Sequence, residues 1–541
     1  MLFFGMIVVV TLAVVRGKAV DLTPPTFSSQ YAIMGVLKLP YADLEEPFTA
    51  YVDVDNKRSS ISYYNDIVTI IQRGDHGPYG ETYTVAPITT YKVYNEKSCF
   101  KLSGANGSRV EPQVALPDLT GFKNVGEKIY LDSAVNVWEK VEQVGYKKNT
   151  YVMWVEKYHN DPVRYEMMGY DTLFGSHYDK YIIDYIVYKK GPPDESHFDV
   201  PKKLTCKGFP GPGKEEHLVA MNPLSELLNI KTDYTDKMFE KFKSQHNKKY
   251  ESDKEHAKRK DIFQQNLRFI NSKNRAGLTY TLKVNHLADL TDVELKVLRG
   301  RRHSGVQNDG LPFNLTAEPG SIPSSKDWRI DGAVTPVKDQ AVCGSCWSFG
   351  TTGTIEGAFF LKTKHLVRLS QQELVDCSWG EGNNGCDGGE DFRAYNWIMS
   401  NGGLTSEDNY GQYLAIDGKC KSRTVDPVVK LKGYVNVTSG SEDALKIAII
   451  KAGPISVAID ASHKSLSFYA NGVYYEPKCK SDPDSLDHAV LAVGYGELHG
   501  KPYWLIKNSW STYWGNDGYV LISSENNHCG VTTSPTYVII E

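Results

Sequence analysis

The stretch Gln340-Ala-Val-Cys343-Gly-Ser-Cys346-Trp347 decides the fold of the C-terminal half of this chain. A thiol is a strong nucleophile only as the thiolate, and a helix N-terminus or a neighbouring imidazolium favours that form. The residues after Cys346 recur at i, i+4 spacing and predict a buried helix; they are Trp347, Thr351, Ile355, Ala358 and Phe359. Cys346 would lie on the first turn of that helix, which is the position a catalytic thiol needs.

Two other chemistries use a C-x-x-C pair, namely thioredoxin-like redox centres and zinc sites. A zinc site needs a second ligand pair at suitable spacing, and Cys377 and Cys386 are too far apart along the chain to match one. A redox centre is expected in a βαβ context, which the surrounding sequence lacks. A catalytic cysteine is therefore the interpretation that we favour.

C-G-S-C-W with His and Asn far downstream is a papain and cathepsin signature, so the chain resembles a papain-family cysteine proteinase of the cathepsin L type. The resemblance implies a two-lobed α+β domain over 321–541, with a helical left lobe and a β-barrel right lobe. It implies Cys346 as nucleophile, His488 as base, Asn508 as the group that orients the base, and Gln340 as an oxyanion donor. We expect no metal ion and no organic cofactor.

The same resemblance suggests the residues that bind substrate. Trp510 would shield the His–Asn hydrogen bond, and Gly388 and Gly389 would bind substrate backbone. Ala458 and Ser534 align with positions that line the specificity pocket.

Glu390 and Asp391 stand where relatives usually have apolar or aromatic residues. We expect their acidity to admit a basic P2 residue, although a solvated rim position is the alternative for Glu390. The short spacing from Cys377 to Cys386 leaves no room for a long occluding insertion, which favours an endopeptidase.

An α-helical inhibitory propeptide is predicted at 233–298. Six residues with helical spacing resemble the E-R-F-N-I-N pattern of cathepsin propeptides: Glu255, Arg259, Phe263, Asn266, Ile270 and Asn274. A second propeptide pattern is partly kept, with Gly and Phe replaced, at Lys283, Asn285, Leu287 and Asp289. The capping box Thr291…Glu294 predicts a short helix after it.

Residues 20–210 predict a β-rich domain, because runs of Tyr, Val and Ile alternate with turn signals. Residues 51–55 and 61–64 predict a hairpin, and we expect Cys99 to pair with Cys206. A curved sheet or half-barrel that holds a ligand or partner is our hypothesis for its shape. The layout resembles the two-subunit cathepsin-like proteinases of insects.

The remaining segments are predicted to be a signal peptide and two linkers. Residues 1–19 carry a short apolar run, with an uncleaved anchor as the alternative. The Pro/Gly-rich stretch at 208–213 predicts a linker at 211–232. Residues 299–320 are polar and turn-rich, so we expect an exposed linker with maturation cleavage there.

Nine cysteines in a secretory context predict four disulfides and one free thiol. The resemblance implies three pairs in the C-terminal part and leaves Cys346 free: Cys343–Cys386, Cys377–Cys420 and Cys479–Cys529. Sequons for N-glycosylation begin at Asn106, Asn314 and Asn436.

These patterns together predict a cysteine endopeptidase zymogen that is lysosomal or extracellular and cleaves proteins or peptides. Cystatin-like inhibitors are plausible partners, and the N-terminal fragment has no spare cysteine, so any retained association would be non-covalent. The net charge of −4 gives no reason to expect nucleic-acid binding, and no later segment is apolar enough to span a membrane. The alternative is a ligand- or partner-binding β module whose protease domain is secondary or inactive.

Overall fold

The computed structural model of this chain describes residues 22–89, 93–208, 220–228, 234–314 and 322–541. Its contacts divide the chain into two compact units. The described part of the first unit is 22–85, 99–208 and 222–228. The second unit holds 86–89, 93–98, 220–221, 234–314 and 322–541, and therefore includes a short segment from the N-terminal region.

The N-terminal region forms an eleven-stranded sheet with the strand order β6-β5-β4-β3-β2-β1-β11-β10-β9-β8-β7. Along β1 buried and more exposed residues alternate, as expected when one face of a sheet is covered. The predicted hairpin is confirmed by the antiparallel pairing of β2 and β3. The strands are β1 Gln30–Leu39, β2 Leu44–Asp53, β3 Arg58–Tyr63, β4 Val68–Arg73, β5 Glu81–Ile88, β6 Glu96–Ser103, β7 Lys123–Tyr130, β8 Ser133–Val144, β9 Lys147–Glu156, β10 Pro162–Asp171 and β11 Ser176–Lys190.

A disulfide attaches the segment after this sheet to its edge strand β6. Cys99 of β6 pairs with Cys206, as predicted. The backbone N–H of Lys101 also donates to the carbonyl of Lys207 at 2.8 Å. The cross-link therefore joins residues that already lie side by side.

The predicted linker 211–232 is wrong in its described part, because Pro223–Leu228 is a helix that belongs to the first unit. Leu224 is fully buried, and the hydroxyl of Tyr181 donates to the carbonyl of Leu227 at 2.9 Å. The Pro/Gly stretch suggested a linker, but the apolar residues that follow it pack instead. The predicted signal peptide at 1–19 lies outside the described residues.

The propeptide folds as predicted around a long helix, Asp253–Arg275, which Ser252 caps by accepting from the Glu255 backbone N–H. Phe263 of this helix is fully buried and packs at 5.3 Å from the ring of Phe239. The predicted Thr291–Glu294 capping box is present. The other propeptide elements are the helices Tyr234–Gln245 and Asp292–Lys296 and the strand β12 Tyr280–Leu282.

Each polar residue of the helical pattern has a distinct bonding role. Arg259 pairs with Glu255 at 2.6 Å and with Glu294 at 2.8 Å. The side-chain amide of Asn266 donates to the carbonyls of Ala288 and Leu290. The helix face thus fixes the segment that carries the second propeptide pattern.

The C-terminal part combines a helical lobe with a ten-stranded sheet to which the propeptide strand β12 also belongs. Its helices are Cys346–Thr363, Gln371–Cys377, Asp391–Asn401, Glu407–Tyr410, Glu442–Ala452 and Lys464–Ser467. Its strands are β13 Leu311–Pro312, β14 Lys326–Asp327, β15 Leu431–Asn436, β16 Ile455–Ile459, β17 Tyr469–Tyr474, β18 His488–Leu498, β19 Lys501–Lys507, β20 Tyr519–Ser523 and β21 Thr536–Ile540. Among the described helices, none has the length and apolar character that a bilayer crossing requires.

Candidate active site

Cys346 is the first residue of the helix Cys346–Thr363, as the sequence predicted. It is fully buried, and it is the one free cysteine of the nine, all of which lie in described residues. Its Sγ accepts a hydrogen bond from the backbone N–H of Ala489 at 3.5 Å. The thiol therefore lies at the meeting point of the helix start and the start of β18.

His488 begins β18 and lies beside the thiol's hydrogen-bond donor, Ala489. Its ring nitrogen Nε2 is 2.8 Å from Oδ1 of Asn508, which also accepts from the Ser509 backbone N–H. The ring of Trp510 covers this pair at 4.7 Å from the imidazole. Asn508 can only accept at Oδ1, so it selects the tautomer with the proton on Nε2. The other ring nitrogen, Nδ1, is buried and has no hydrogen-bond partner among the described residues.

Burial holds both members of the candidate pair in their neutral forms. It raises the pKa of the Cys346 thiol to about 11. It lowers the pKa of the His488 imidazole to about 4. A desolvated ion pair is costly, so in this conformation the chain carries a thiol rather than a thiolate.

Gln340 is fully buried and every polar group it carries has a partner. Its Nε2 donates to the carbonyls of Leu298 at 2.9 Å and Cys343 at 2.8 Å. Its Oε1 accepts from the hydroxyl of Ser509 at 2.7 Å, and its backbone N–H donates to the Ser509 carbonyl. The amide expected to stabilise an oxyanion therefore already holds a peptide carbonyl from the propeptide.

The chain between propeptide and peptidase domain continues from Leu298 along the same cleft. The Gly389 N–H donates to the Gly300 carbonyl at 2.9 Å, and the Arg302 N–H donates to the Gly389 carbonyl at 3.2 Å. A Cβ at Gly300 would lie 1.7 Å from the carbonyl oxygen of Gly344, so no side chain fits there. The segment therefore passes Gly344, two residues before Cys346, at a point where only glycine is tolerated.

Basic residues fix this segment to acidic ones. Arg299 pairs with Asp487 at 3.0 Å, and His303 lies 2.7 Å from Asp484. The predicted exposed linker 299–320 is therefore corrected at its start, because Gly300 is buried, whereas 302–307 are exposed as expected. Through Arg299 and His303, the start of the linker is fixed in the cleft and is not an exposed connection.

The structure separates the predicted substrate-binding residues into different environments. Gly388 and Gly389 are buried at the linker. Glu390 is 5% exposed; its Oε1 accepts from the Ser304 N–H at 3.2 Å and its Oε2 pairs with Arg393 at 3.1 Å.

Asp391 does not present a free charge to a pocket. Its carboxylate accepts from the Thr536 hydroxyl at 2.6 Å, and burial raises its pKa. Ala458 is buried in β16 opposite Ala489, and Ser534 is half-buried just before β21. The expectation that Asp391 adds acidity to the pocket is thus not supported by its contacts.

Disulfides join the predicted cysteines in the C-terminal part, which are Cys343–Cys386, Cys377–Cys420 and Cys479–Cys529. The sequon residues Asn106 and Asn314 are exposed. Asn436 is half-buried, and its side-chain Nδ2 donates to Oδ1 of Asn308 and to the carbonyl of Gly310.

Sequence reasoning missed three contributors to this site: Ser509, Tyr413 and the Leu298 carbonyl. Ser509 lies between Asn508 and Trp510, which the sequence had already indicated, and could have been found there. Tyr413 comes from a distant loop, and its hydroxyl donates to the Gln340 carbonyl at 3.0 Å. No local pattern pointed to it.

Comparisons with known proteins identify the family of this chain. The papain family cysteine protease profile matches residues 322–539, and the cathepsin propeptide inhibitor domain (I29) profile matches residues 239–295. A cathepsin L-like peptidase of Aedes aegypti is 46% identical over 318 residues, which cover 55% of this chain and 91% of that protein. Digestive cysteine proteinase 1 of Homarus americanus is 45% identical over 305 residues, covering 55% and 93%.

A solved digestive procathepsin L 3 of Tenebrio molitor larval midgut has a TM-score of 0.52 at 38% identity, covering 56% of this chain and 98% of that structure. The chain therefore belongs to the papain family of cysteine proteases. Within that family it is a cathepsin L-like protease zymogen with an I29 propeptide. Both profile matches lie C-terminal to the eleven-stranded sheet, which is an additional domain.

Proposed function

We propose that this chain is the zymogen of a cysteine endopeptidase that acts on proteins or peptides, with Cys346, His488, Asn508 and Gln340 as its catalytic group. The observation that carries the proposal is the hydrogen bond from Gln340 Nε2 to the Leu298 carbonyl. On this assignment, one of the two proposed oxyanion donors is bound to a carbonyl oxygen from the chain's own propeptide. A cleft that binds the propeptide backbone in this way is suited to bind the backbone of a peptide substrate.

Catalysis begins once the propeptide has moved out of the cleft and water returns to Cys346 and His488. Deprotonated Cys346 attacks the scissile carbonyl, and His488, protonated at that stage, gives its proton to the leaving amine. Water then hydrolyses the thioester with His488 as base. Gln340 Nε2 and the Cys346 backbone N–H stabilise the oxyanion in both steps, and losing one such donor typically costs about 100-fold or more in rate.

Titration of acid-activated protein with an epoxide inhibitor tests the assignment of the nucleophile. We expect one equivalent to label Cys346 and to abolish peptide cleavage, and we expect Cys346→Ser to show neither labelling nor activity. Gln340→Ala should label at Cys346 but turn over at least about 100-fold more slowly. Labelling at any other residue, or full activity in Cys346→Ser, would contradict the proposal.

We further propose that the N-terminal fragment stays bound without a covalent link after cleavage in 299–320. Support comes from the segment 93–98, which belongs to the second unit. A cut in 299–320 leaves Tyr94 on the fragment and His499 on the enzyme, and the rings of these two residues stack at 5.8 Å. Size-exclusion chromatography and non-reducing gels of matured material check this, since a covalent pair would survive denaturation without reductant.

The proposed route is secretory, to a lysosome or the cell exterior. Four disulfides fit an oxidising compartment, and so do the exposed sequons Asn106 and Asn314. We also propose that cystatin-like proteins inhibit the mature endopeptidase. Glycosidase-sensitive mobility of the secreted chain would test the route.

A second proposal is that the eleven-stranded sheet binds a ligand or partner and directs the protease to it. Apolar side chains are exposed at neighbouring hairpin tips: Val144 at 69%, Tyr146 at 62% and Leu173 at 56%. The tips are joined by a hydrogen bond from the Thr172 N–H to the Tyr146 carbonyl. Serine at all three tip positions should leave dipeptide cleavage unchanged and reduce cleavage of the natural macromolecular target.

A further inference from the structure

Tyr413 connects two residues that are otherwise held by separate parts of the cleft wall. It follows the short helix Glu407–Tyr410, and its hydroxyl lies 2.6 Å from Ser345 Oγ and 3.0 Å from the Gln340 carbonyl. A carbonyl can only accept, so Tyr413 donates to Gln340. The Ser345 hydroxyl must then donate to the Tyr413 oxygen.

Each of these two residues carries one half of the oxyanion site. Gln340 supplies the side-chain Nε2, and Ser345 supplies the peptide unit whose N–H belongs to Cys346. The Ser345 carbonyl is fixed from the other side by the N–H and hydroxyl of Ser348, both at 2.8 Å. The position of the Cys346 N–H therefore depends on how Ser345 is held.

The Tyr413 ring is itself held in place and keeps its proton. It packs edge-to-face on Phe349 of the catalytic helix at 5.1 Å. Burial raises the pKa of its phenol, so the hydroxyl remains a donor over the range in which a cysteine protease works. A fixed ring and a permanent donor make the link between Gln340 and Ser345 a rigid one.

We propose that Tyr413 is a positioning residue for this protease: its hydroxyl sets the distance between the two oxyanion donors, Gln340 Nε2 and the Cys346 N–H. The inference rests on the proposed role of Gln340. It assigns Tyr413 no contact with the substrate. A misplaced donor stabilises the transition state less but hardly changes the binding of the substrate. Loss of the Tyr413 hydroxyl should therefore lower kcat rather than raise KM.

Tyr413→Phe is the test, because it keeps the ring and removes both hydrogen bonds. We expect kcat to fall about 10-fold, less than the loss of a whole donor, with KM changed by no more than about twofold. Tyr410→Phe is the matched control: Tyr410 ends the helix just before Tyr413, and its hydroxyl donates to Asp376 instead. Ser345→Ala, which breaks one of the two bonds, should give a smaller loss of the same kind.

Two active-site probes separate positioning from general loosening of the fold. A peptide aldehyde forms a tetrahedral adduct whose oxygen needs both donors, so its affinity should fall by the same factor as kcat/KM. Iodoacetamide alkylates the thiol by direct displacement without an oxyanion, so its rate should stay unchanged. Unchanged kcat in Tyr413→Phe, or equal losses with both probes, would overturn the inference.

Gln340→Ala distinguishes failure of this inference from failure of the proposed function. A large loss in Gln340→Ala with none in Tyr413→Phe refutes only the role of Tyr413. No loss in Gln340→Ala refutes the oxyanion assignment itself. In the double variant, Tyr413→Phe should add little to Gln340→Ala, since one of the two donors it positions is already gone.

Discussion

Acid should open the propeptide of this zymogen through His286, which faces the peptidase domain. His286 and His246 both lie beside the ring of Tyr513, at 6.1 and 4.9 Å. The Nδ1 atom of each is buried and has no hydrogen-bond partner among the described residues. The charged groups around them are Lys248, which pairs with Asp289 at 2.8 Å, and the exposed Lys283.

The pKa of His286 determines the direction and the size of the effect. Burial first, then Lys248 and His246, lowers it from 6.5 to about 3, and burial also lowers that of His246. The released propeptide therefore binds more protons than the docked one, so docking is stable at neutral pH and weakens as pH falls through the free value. For His286 alone this amounts to about 2 kcal/mol between pH 7 and 5, or roughly 25-fold in the opening equilibrium.

Hydrogen exchange in the Cys346→Ala zymogen, which cannot process itself, measures this opening. The Lys283 N–H donates to the Phe468 carbonyl at 2.9 Å and reports release directly. Its protection factor should fall about 25-fold from pH 7 to 5, and by much less after His286→Leu. His365→Leu, at an exposed site in the peptidase domain, is the control. An unchanged pH dependence in His286→Leu would refute the reasoning.

Three further predictions concern the linker and the cleft. Gly300→Val should expel the linker from Gly344 and raise epoxide labelling of the intact zymogen at neutral pH at least about 10-fold; equal labelling would mean that the close approach has no inhibitory role. In the mature enzyme the linker has left, so the Glu390 oxygen that accepted from the Ser304 N–H is free to bind a basic P2 residue. Glu390→Leu removes this oxygen and should lower cleavage of Arg-Arg relative to Phe-Arg dipeptide substrates by about 10-fold. An overwhelming preference for Phe in both proteins would contradict this. A glycan on Asn436 should release Asn308 and the residues after it, so chymotrypsin should cut the glycosylated zymogen after Phe313 faster than it cuts the Thr438→Val protein. Equal rates would count against this.

Sequence predicted best where local spacing and chemistry coincide. The placement of Cys346 at a helix start follows from the apolar spacing after it, and the Glu255–Arg259 pair follows from i, i+4 geometry. The cysteine count predicted one free thiol, and the resemblance identified it as Cys346. The roles of Asn508 and Gln340 came from resemblance alone, because their neighbours come together only in the folded chain.

The features that the sequence did not predict depend on contacts between distant segments. The acidic residue Asp391 looked like a pocket charge, yet it turns inward to Thr536, which is 145 positions away in the chain. Tyr413 acts on Gln340 across a gap of 73 residues. The helix Pro223–Leu228 was not predicted, because the Pro/Gly stretch before it indicated a linker. Such a turn signal marks where one element ends, but it does not tell whether the next segment packs.

The presence of the propeptide in the cleft does not by itself explain why the propeptide is not cleaved there. The Leu298 carbonyl accepts a hydrogen bond from Gln340, and Gln340 and Cys346 are both fully buried. What the buried site lacks is charge, since burial keeps the Cys346 thiol and the His488 imidazole neutral. On the proposed mechanism, the propeptide inhibits by its position in the cleft and by excluding water, and each effect depends on the other. Protonation of His286 would end both together, because release of the propeptide opens the cleft and returns the solvent that a thiolate requires.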